Sequence, residues 1–232
     1  MLQRENVLIV GEKQPFVNRQ TAGASLASHV ADHITQLNLE DVIVLGLPRG
    51  GMVVASPIAQ ALGRPLDFVI TRKLLAPHQP QLAIGAVTER GRAFLNKPVI
   101  DALGVTDDYI QTAIEDERLE IKASTAAYRA IIPATNLAGK TIVVADDNVI
   151  TGSTMFATLR GLWAERPNNI ILAIPVAPRD TLMALGDFAD FVIALRAPTQ
   201  SFTSMKDYYE TYNEVTESDV INILQNFVAV AS

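Results

Sequence analysis

The chain has 232 residues, 49% hydrophobic and 19% charged, with a formal net charge of −6 and no cysteine. That composition excludes disulfides, thiolate catalysis, cysteine-ligated zinc and general disorder, and the acidic balance argues against a nucleic-acid-binding face. No apolar run approaches the roughly 20 residues that span a bilayer, and MLQRENVLIVGEKQPF lacks the cleavage pattern of a secretory signal, so the expectation is a cytoplasmic protein with no membrane partner.

In chain order, His29 and His33 come first, four residues apart on a predicted helix. They are either a metal pair or solvated side chains. Val42–Leu47 (VIVLGL) is continuously apolar, as strands covered on both faces are. Pro48 stops it, Arg49 follows, and Gly50–Gly51 lead into a predicted helix over Met52–Leu62. Pro57 lies within that helix, so either the helix is kinked or Ser56 caps a shorter one. Phe68–Thr71 (FVIT) is the next strand, followed by Arg72 and Lys73.

Ala76–Lys97 is the least regular stretch, with Pro77, His78 and Pro80 ahead of Gly85 and Gly91. A Pro/Gly-studded segment of this kind is a hairpin or a functional loop. Asp107–Ala130 is predicted helical. Thr141–Ala145 (TIVVA), Ile170–Val176 and Phe191–Leu195 are predicted strands, separated by helices over Ser153–Glu165 and Arg179–Gly186. Met155, Leu159, Leu162 and Trp163 form the apolar stripe of the first of these helices. From about residue 197 the rhythm is lost and Phe202, Tyr208, Tyr209 and Tyr212 collect in a small C-terminal appendage packed over the main sheet, where Tyr208, Tyr209 and Tyr212 either stack on a base or pack in a core or interface. The alternation predicts one α/β domain over 1–232 with a mainly parallel open sheet flanked by helices.

Ligands of such sheets bind beyond the carboxyl ends of the strands, and two strands there end unusually. Pro48–Gly51 offers backbone N–H groups and the Arg49 guanidinium to a phosphate or diphosphate. In TIVVADDNVITGSTM, Asp146 and Asp147 precede the spacer Asn148, Val149 and Ile150, and then Thr151, Gly152, Ser153 and Thr154 open a helix. Orphan N–H groups, helix dipole and hydroxyls make that opening an anion site. Carboxylates beside an anion call for hydroxyl donors, a cation, or both. A ligand with a phosphate at one end and a vicinal diol nearby, such as ribose 5-phosphate, satisfies the whole stretch.

TIVVADDNVITGSTM resembles the phosphoribosyl pyrophosphate signature of type I phosphoribosyltransferases. VIVLGLPRGGMVVASPIAQALGRPLDFVITRKLLAPHQPQLAIGAVTERG, with FVNRQTAGASLA and YYETYNEV, is similar to a bacterial group of predicted phosphoribosyltransferases. The resemblance implies that Asp146 and Asp147 bind the ribose hydroxyls. It gives Thr151–Thr154 the 5-phosphate and Pro48–Gly51 the pyrophosphate, countered by Arg49 and helped by Arg72 and Lys73. Mg2+ would be held mainly by the substrate with help from Asp146 and Asp147. By that reading Arg49, Lys73, Asp146 and Asp147 carry a transfer of ribose 5-phosphate to a nitrogen acceptor. The segment 72–97 would be a flap over the site or else a rigid hairpin, and a homodimer is usual among such relatives.

Two positions depart from the family. Enzymes acting on hypoxanthine and guanine carry an aspartate where Ile150 stands, and many relatives have glycine where Asn148 stands. A non-catalytic regulator that senses phosphoribosyl pyrophosphate is the alternative, since one fold hosts both.

Overall fold

The apolar runs become a six-stranded sheet in which every pairing is parallel. The computed structural model describes residues 5–89, 93–199 and 205–231; Gly91 and Phe202 therefore lie outside the described residues. The elements run β1 (Val7–Ile9), α1 (Arg19–Gln36), β2 (Val42–Gly46), α2 (Gly50–Leu62), β3 (Leu66–Phe68), β4 (Thr71–Ala76), β5 (Gln79–Thr88) and β6 (Ala93–Leu95). They continue through α3 (Lys97–Leu103), α4 (Asp107–Arg129), β7 (Thr141–Ala145), α5 (Ser153–Trp163), β8 (Asn169–Val176), α6 (Arg179–Leu185), β9 (Phe191–Arg196) and α7 (Glu217–Ala231).

The strand order is β1-β9-β8-β7-β2-β3. From β2 the chain moves outward to β3, and from β7 it moves the other way to β8 and β9. The order thus reverses between β2 and β7, where open parallel sheets leave a crevice. Both strands are buried at every residue. One face is covered by α1, α2 and α7, through Leu26, Val30, Met52, Ile58, Val220 and Leu224. The other face is covered by α5 and α6, through Met155, Leu159, Leu162, Leu182 and Leu185. Trp163 is not in that core: it is 37% exposed, and its indole N–H donates to the Phe188 carbonyl at 2.8 Å.

The expected strand over Phe68–Thr71 is split, with Phe68 closing β3 and Thr71 opening β4. The helix α2 continues through Pro57, so Ser56 is not a cap. His33 stacks on Phe191 with ring centroids 3.6 Å apart, which places it against β9.

The stretch read as irregular is a second, three-stranded antiparallel sheet, β4-β5-β6. Pro77 and His78 form its tip, and His78 takes φ 61°, the left-handed conformation that a tight turn after proline requires. The hairpin has its own core, in which Leu74, Ile84 and Val87 pack on Ile100, Ile110 and Ile114 of α3 and α4.

The C-terminal stretch packs over the sheet, as the expected appendage does. Phe16 N donates to Tyr208 O, Glu210 N to Phe16 O and Thr211 N to Val17 O, at 2.8, 2.9 and 3.0 Å. Residues 16–17 and 208–211 thereby form a small hood over the carboxyl end of the sheet.

Candidate active site

The β2–α2 and β7–α5 loops meet at the topological switch point. They enclose a cleft of about 350 Å³ lined by Leu47, Pro48 and Asp146–Met155. A larger groove of about 620 Å³ lies at the opposite end, between Leu66, Ile132, Leu224 and Phe227. Its lining is mainly apolar, whereas the smaller cleft is lined by carboxylates and hydroxyls.

The N-cap of α5 is Gly152, whose φ of 76° and closeness to the Phe156 ring leave no room for a side chain. Gly152 has no side chain with which to cap the helix, so the first N–H groups of α5 face the cleft. Thr151, Ser153 and Thr154 are exposed beside them, and the Thr151 and Ser153 hydroxyls lie 3.2 Å apart. Lys73 reaches across from β4 and donates to Ser153 Oγ at 2.7 Å. A cation, hydroxyls and helix N–H groups thus converge on one point, as a phosphate site requires.

The spacer is held by its backbone. Val149 is buried and its N–H donates to Val176 O at 3.2 Å, while Ile150 O accepts from Thr181 Oγ1 at 3.0 Å. The Ile150 side chain is 50% exposed.

The two aspartates are not equivalent. Asp147 is buried, and its Oδ2 accepts from Arg19 Nε at 2.6 Å and from the Tyr212 hydroxyl at 2.8 Å. Its Oδ1 accepts from Asn148 Nδ2 at 3.1 Å, and its backbone carbonyl from the Tyr209 hydroxyl at 2.7 Å. Arg19 also lies over the Tyr212 ring at 3.7 Å and donates to Asn213 O at 2.7 Å. Burial opposes the charge of Arg19, but the hydrogen bond and charge of Asp147 outweigh it and hold its pKa above the ordinary value. Burial, then the Asp147 charge, push both Tyr209 and Tyr212 well above the ordinary phenol value. Asp146, on the cleft wall, accepts from Asp147 N–H at 2.9 Å. Burial and the Asp147 charge raise its carboxyl well above the usual range.

Gly50 sits where the loops touch: a Cβ there would fall 2.3 Å from Asp147 Oδ2. The glycine pair therefore lets α2 start against the acidic loop, a packing requirement in addition to any contact with ligand. The Pro48–Arg49 peptide is cis.

The cleft thus brings together Pro48 and Asp146–Thr154, with Lys73 at its rim. Two predicted residues point elsewhere. Arg72, on the opposite face of β4 from Lys73, approaches Glu117 of α4 at 3.9 Å. Arg49 donates to the exposed Glu214 at 3.0 Å. Tyr209 and Tyr212 are spent on Asp147, and Tyr208 carries the Arg196 guanidinium at 4.8 Å. Sequence reasoning missed Arg19. Its signal is a charged residue at the first turn of a helix that Asn18 caps through Thr21, a pattern that does not name its distant partner.

A doubly wound parallel sheet with a hydroxyl-rich loop and an acidic pair at its switch point has the layout that suits a phosphate-bearing ligand. The sequence matches the family described as phosphoribosyl transferase domain over residues 18–203, and the chain belongs to that family. It is 33% identical over 210 residues to a Mycobacterium tuberculosis protein, known from strains CDC 1551 and H37Rv and named only provisionally as a phosphoribosyl transferase. The match covers 90% of this chain and 46% of that protein, so the chain spans about half the length of these relatives. Its fold is similar to the crystal structure of TT1426 from Thermus thermophilus, at TM-score 0.81 and 36% identity over 92% of this chain and 99% of that one.

Proposed function

We propose that this chain is a Mg2+-dependent phosphoribosyltransferase, moving ribose 5-phosphate from phosphoribosyl pyrophosphate to a nitrogen acceptor with release of pyrophosphate. The observation that supports this most is the shared cleft. The exposed Thr151, Ser153 and Thr154 stand in it beside Asp146 at the switch point, a spacing that suits a 5-phosphate and a ribose diol.

Thr151–Thr154 hold the 5-phosphate, with the Lys73 ammonium countering its charge. Asp146 accepts from the ribose hydroxyls. Asp147, held by Arg19 and Tyr212, orients the loop and keeps a negative charge behind the sugar as its C1 becomes oxocarbenium-like. Pro48–Gly51 receives the pyrophosphate, and Arg49 leaves its exposed contact with Glu214 to meet it. That contact costs little to break, because exposed ion pairs are worth about 0–1 kcal/mol.

The donor set fits magnesium. Among the described residues no group of three His, Asp or Glu side chains is placed to cage an ion, whereas Mg2+ normally takes one or two carboxylates plus substrate phosphates. Asp146 supplies such a carboxylate, and the bound ion would lend positive charge to the departing pyrophosphate. Among the described residues no helix is long and apolar enough to cross a membrane. We place the protein in the cytoplasm, as a homodimer, on the family resemblance alone.

Phosphoribosyl pyrophosphate with Mg2+ at 100 times its dissociation constant should stabilise the fold by about 2.7 kcal/mol in thermal melts. Asp146→Asn should abolish most of that shift, as should omission of Mg2+. An unchanged melt at saturating ligand sinks the assignment. Binding without pyrophosphate release across a panel of nitrogen acceptors would leave the sensor reading instead.

A further inference from the structure

A second cation stands near the hydroxyl-rich loop and has no role in the reading above. Ser153, Phe156 and Arg160 recur at the spacing that puts residues on one face of a helix. That face and the β4–β5–β6 sheet enclose a hollow of about 160 Å³, for which small residues of β5 leave the room. Its charged lining is Lys73 and Arg160, with no carboxylate among the residues around it. The cleft, by contrast, carries both aspartates. Ser153 lines both cavities, so the hollow adjoins the point where Lys73 meets the Ser153 hydroxyl.

Two polar groups of the hollow are unused. Arg160 is half-buried, with its guanidinium 4.8 Å from both the Phe94 and the Phe188 rings. Among the described residues no hydrogen bond or ion pair engages it, and its nitrogens remain open to solvent. Aromatic faces attract a cation but leave its N–H donors unmet. Asn96 stands at the N-cap of α3, where an asparagine side chain usually accepts from the helix N–H groups, yet it makes no such bond. A cation without counter-charge, a spare amide and a lysine shared with the phosphate loop suit an anion.

We infer that this hollow is a second phosphate subsite continuing the hydroxyl-rich loop, so that the chain takes a ribose whose 5-position carries a diphosphate. The inference rests on the proposed seat of the 5-phosphate at Thr151–Thr154. Arg160 lies two turns beyond Ser153, about 10 Å along the helix axis, but long helical side chains lean toward the start of their helix. The Arg160 guanidinium accordingly shares the Phe188 ring with Phe156, one turn nearer the loop. A diphosphate whose first phosphate sits on the loop places its second between Lys73 and Arg160, where the guanidinium fork matches phosphate oxygens. Asn96 adds its amide to the same group.

The test measures by calorimetry the affinity of the full chain for ribose 5-phosphate and for ribose 5-diphosphate, which differ only in the second phosphate. The diphosphate should bind about 10-fold or more tighter, the size expected of a charge-assisted hydrogen bond. Arg160→Gln should erase that advantage while ribose 5-phosphate affinity stays the same, and Arg160→Lys should retain part of it. Equal affinities in the unaltered protein overturn the subsite, whether or not the variants fold. So does an advantage that survives Arg160→Gln, which would assign the second phosphate to Pro48–Gly51. Inorganic phosphate titrated into the ribose 5-phosphate complex separates a tethered group from a free ion. Its binding there with no diphosphate advantage makes the hollow a free-ion site and overturns the proposal. Failure of ribose 5-phosphate itself to bind is a distinct result, since it removes the 5-phosphate reading and the inference with it.

Discussion

Arg19 and Asp147 are the most consequential pair at the residue scale, because neither is tolerable alone. Removing one partner of a buried pair leaves an uncompensated charge and costs about 3–5 kcal/mol. Arg19→Met should therefore lower unfolding stability by about that much in urea titrations, and the Arg19→Met, Asp147→Asn double variant should recover a good part of it. A loss equal to the sum of the two singles would mean the side chains act independently. His33 offers a pH test. Burial against Phe191 lowers its pKa below the ordinary 6.5, so the unfolded chain binds more protons near that pH and stability falls as pH drops below about 6.5. His33→Gln should flatten that part of the stability profile; an unchanged slope would assign it to other groups. The acidic pair, the spacer and Thr151–Thr154 were legible in the sequence because they are contiguous and bear on a single loop. Arg19 was not, since its partner lies 128 residues away and only the tertiary fold brings them together.

Among the elements, the continuous apolar strands were legible because burial on both faces leaves no alternation. The hairpin β4–β5 was not, since Pro77, Pro80 and Gly85 read as breakers. Proline is allowed near the start of a strand, and Pro80 sits there, beyond the three residues of β5 that β6 pairs. Gly85 lies where a Cβ would meet the Phe94 carbonyl at 2.3 Å. The expectation of a mobile flap over 72–97 accordingly narrows. Leu74, Ile84 and Val87 root the hairpin in its own core, which leaves the tip around Pro77 and His78 as the part we propose closes over ligand. Limited proteolysis should cut only near Ala76–Gln79 and more slowly with phosphoribosyl pyrophosphate and Mg2+. Lys73→Ala should weaken ribose 5-phosphate binding, because its ammonium sits on Ser153. Cutting that ignores ligand, with full affinity in Lys73→Ala, would leave a rigid hairpin with no part in binding.

At the scale of the whole molecule, the family and its parallel sheet are established. Free 6-oxopurines should be poor acceptors, because Ile150 offers no proton-transfer group and general acid–base help is worth roughly 10²–10⁴ in rate. Efficient turnover of hypoxanthine by the purified chain would refute this. The hood has a further consequence, for the order in which the protein is made. Synthesis proceeds at about 5–20 residues per second. The 128 residues between Arg19 and Asp147 therefore take about 6–26 s to emerge, and the further 65 to Tyr212 take about 3–13 s. Throughout that second interval the nascent chain carries Asp147 without the hydroxyls of Tyr209 and Tyr212, and without the strand partner of Phe16 that closes the hood. The acidic loop is translated well before the residues that steady it, so a ribosome-bound chain paused after β9 carries Asp147 with only part of its hydrogen-bond partners.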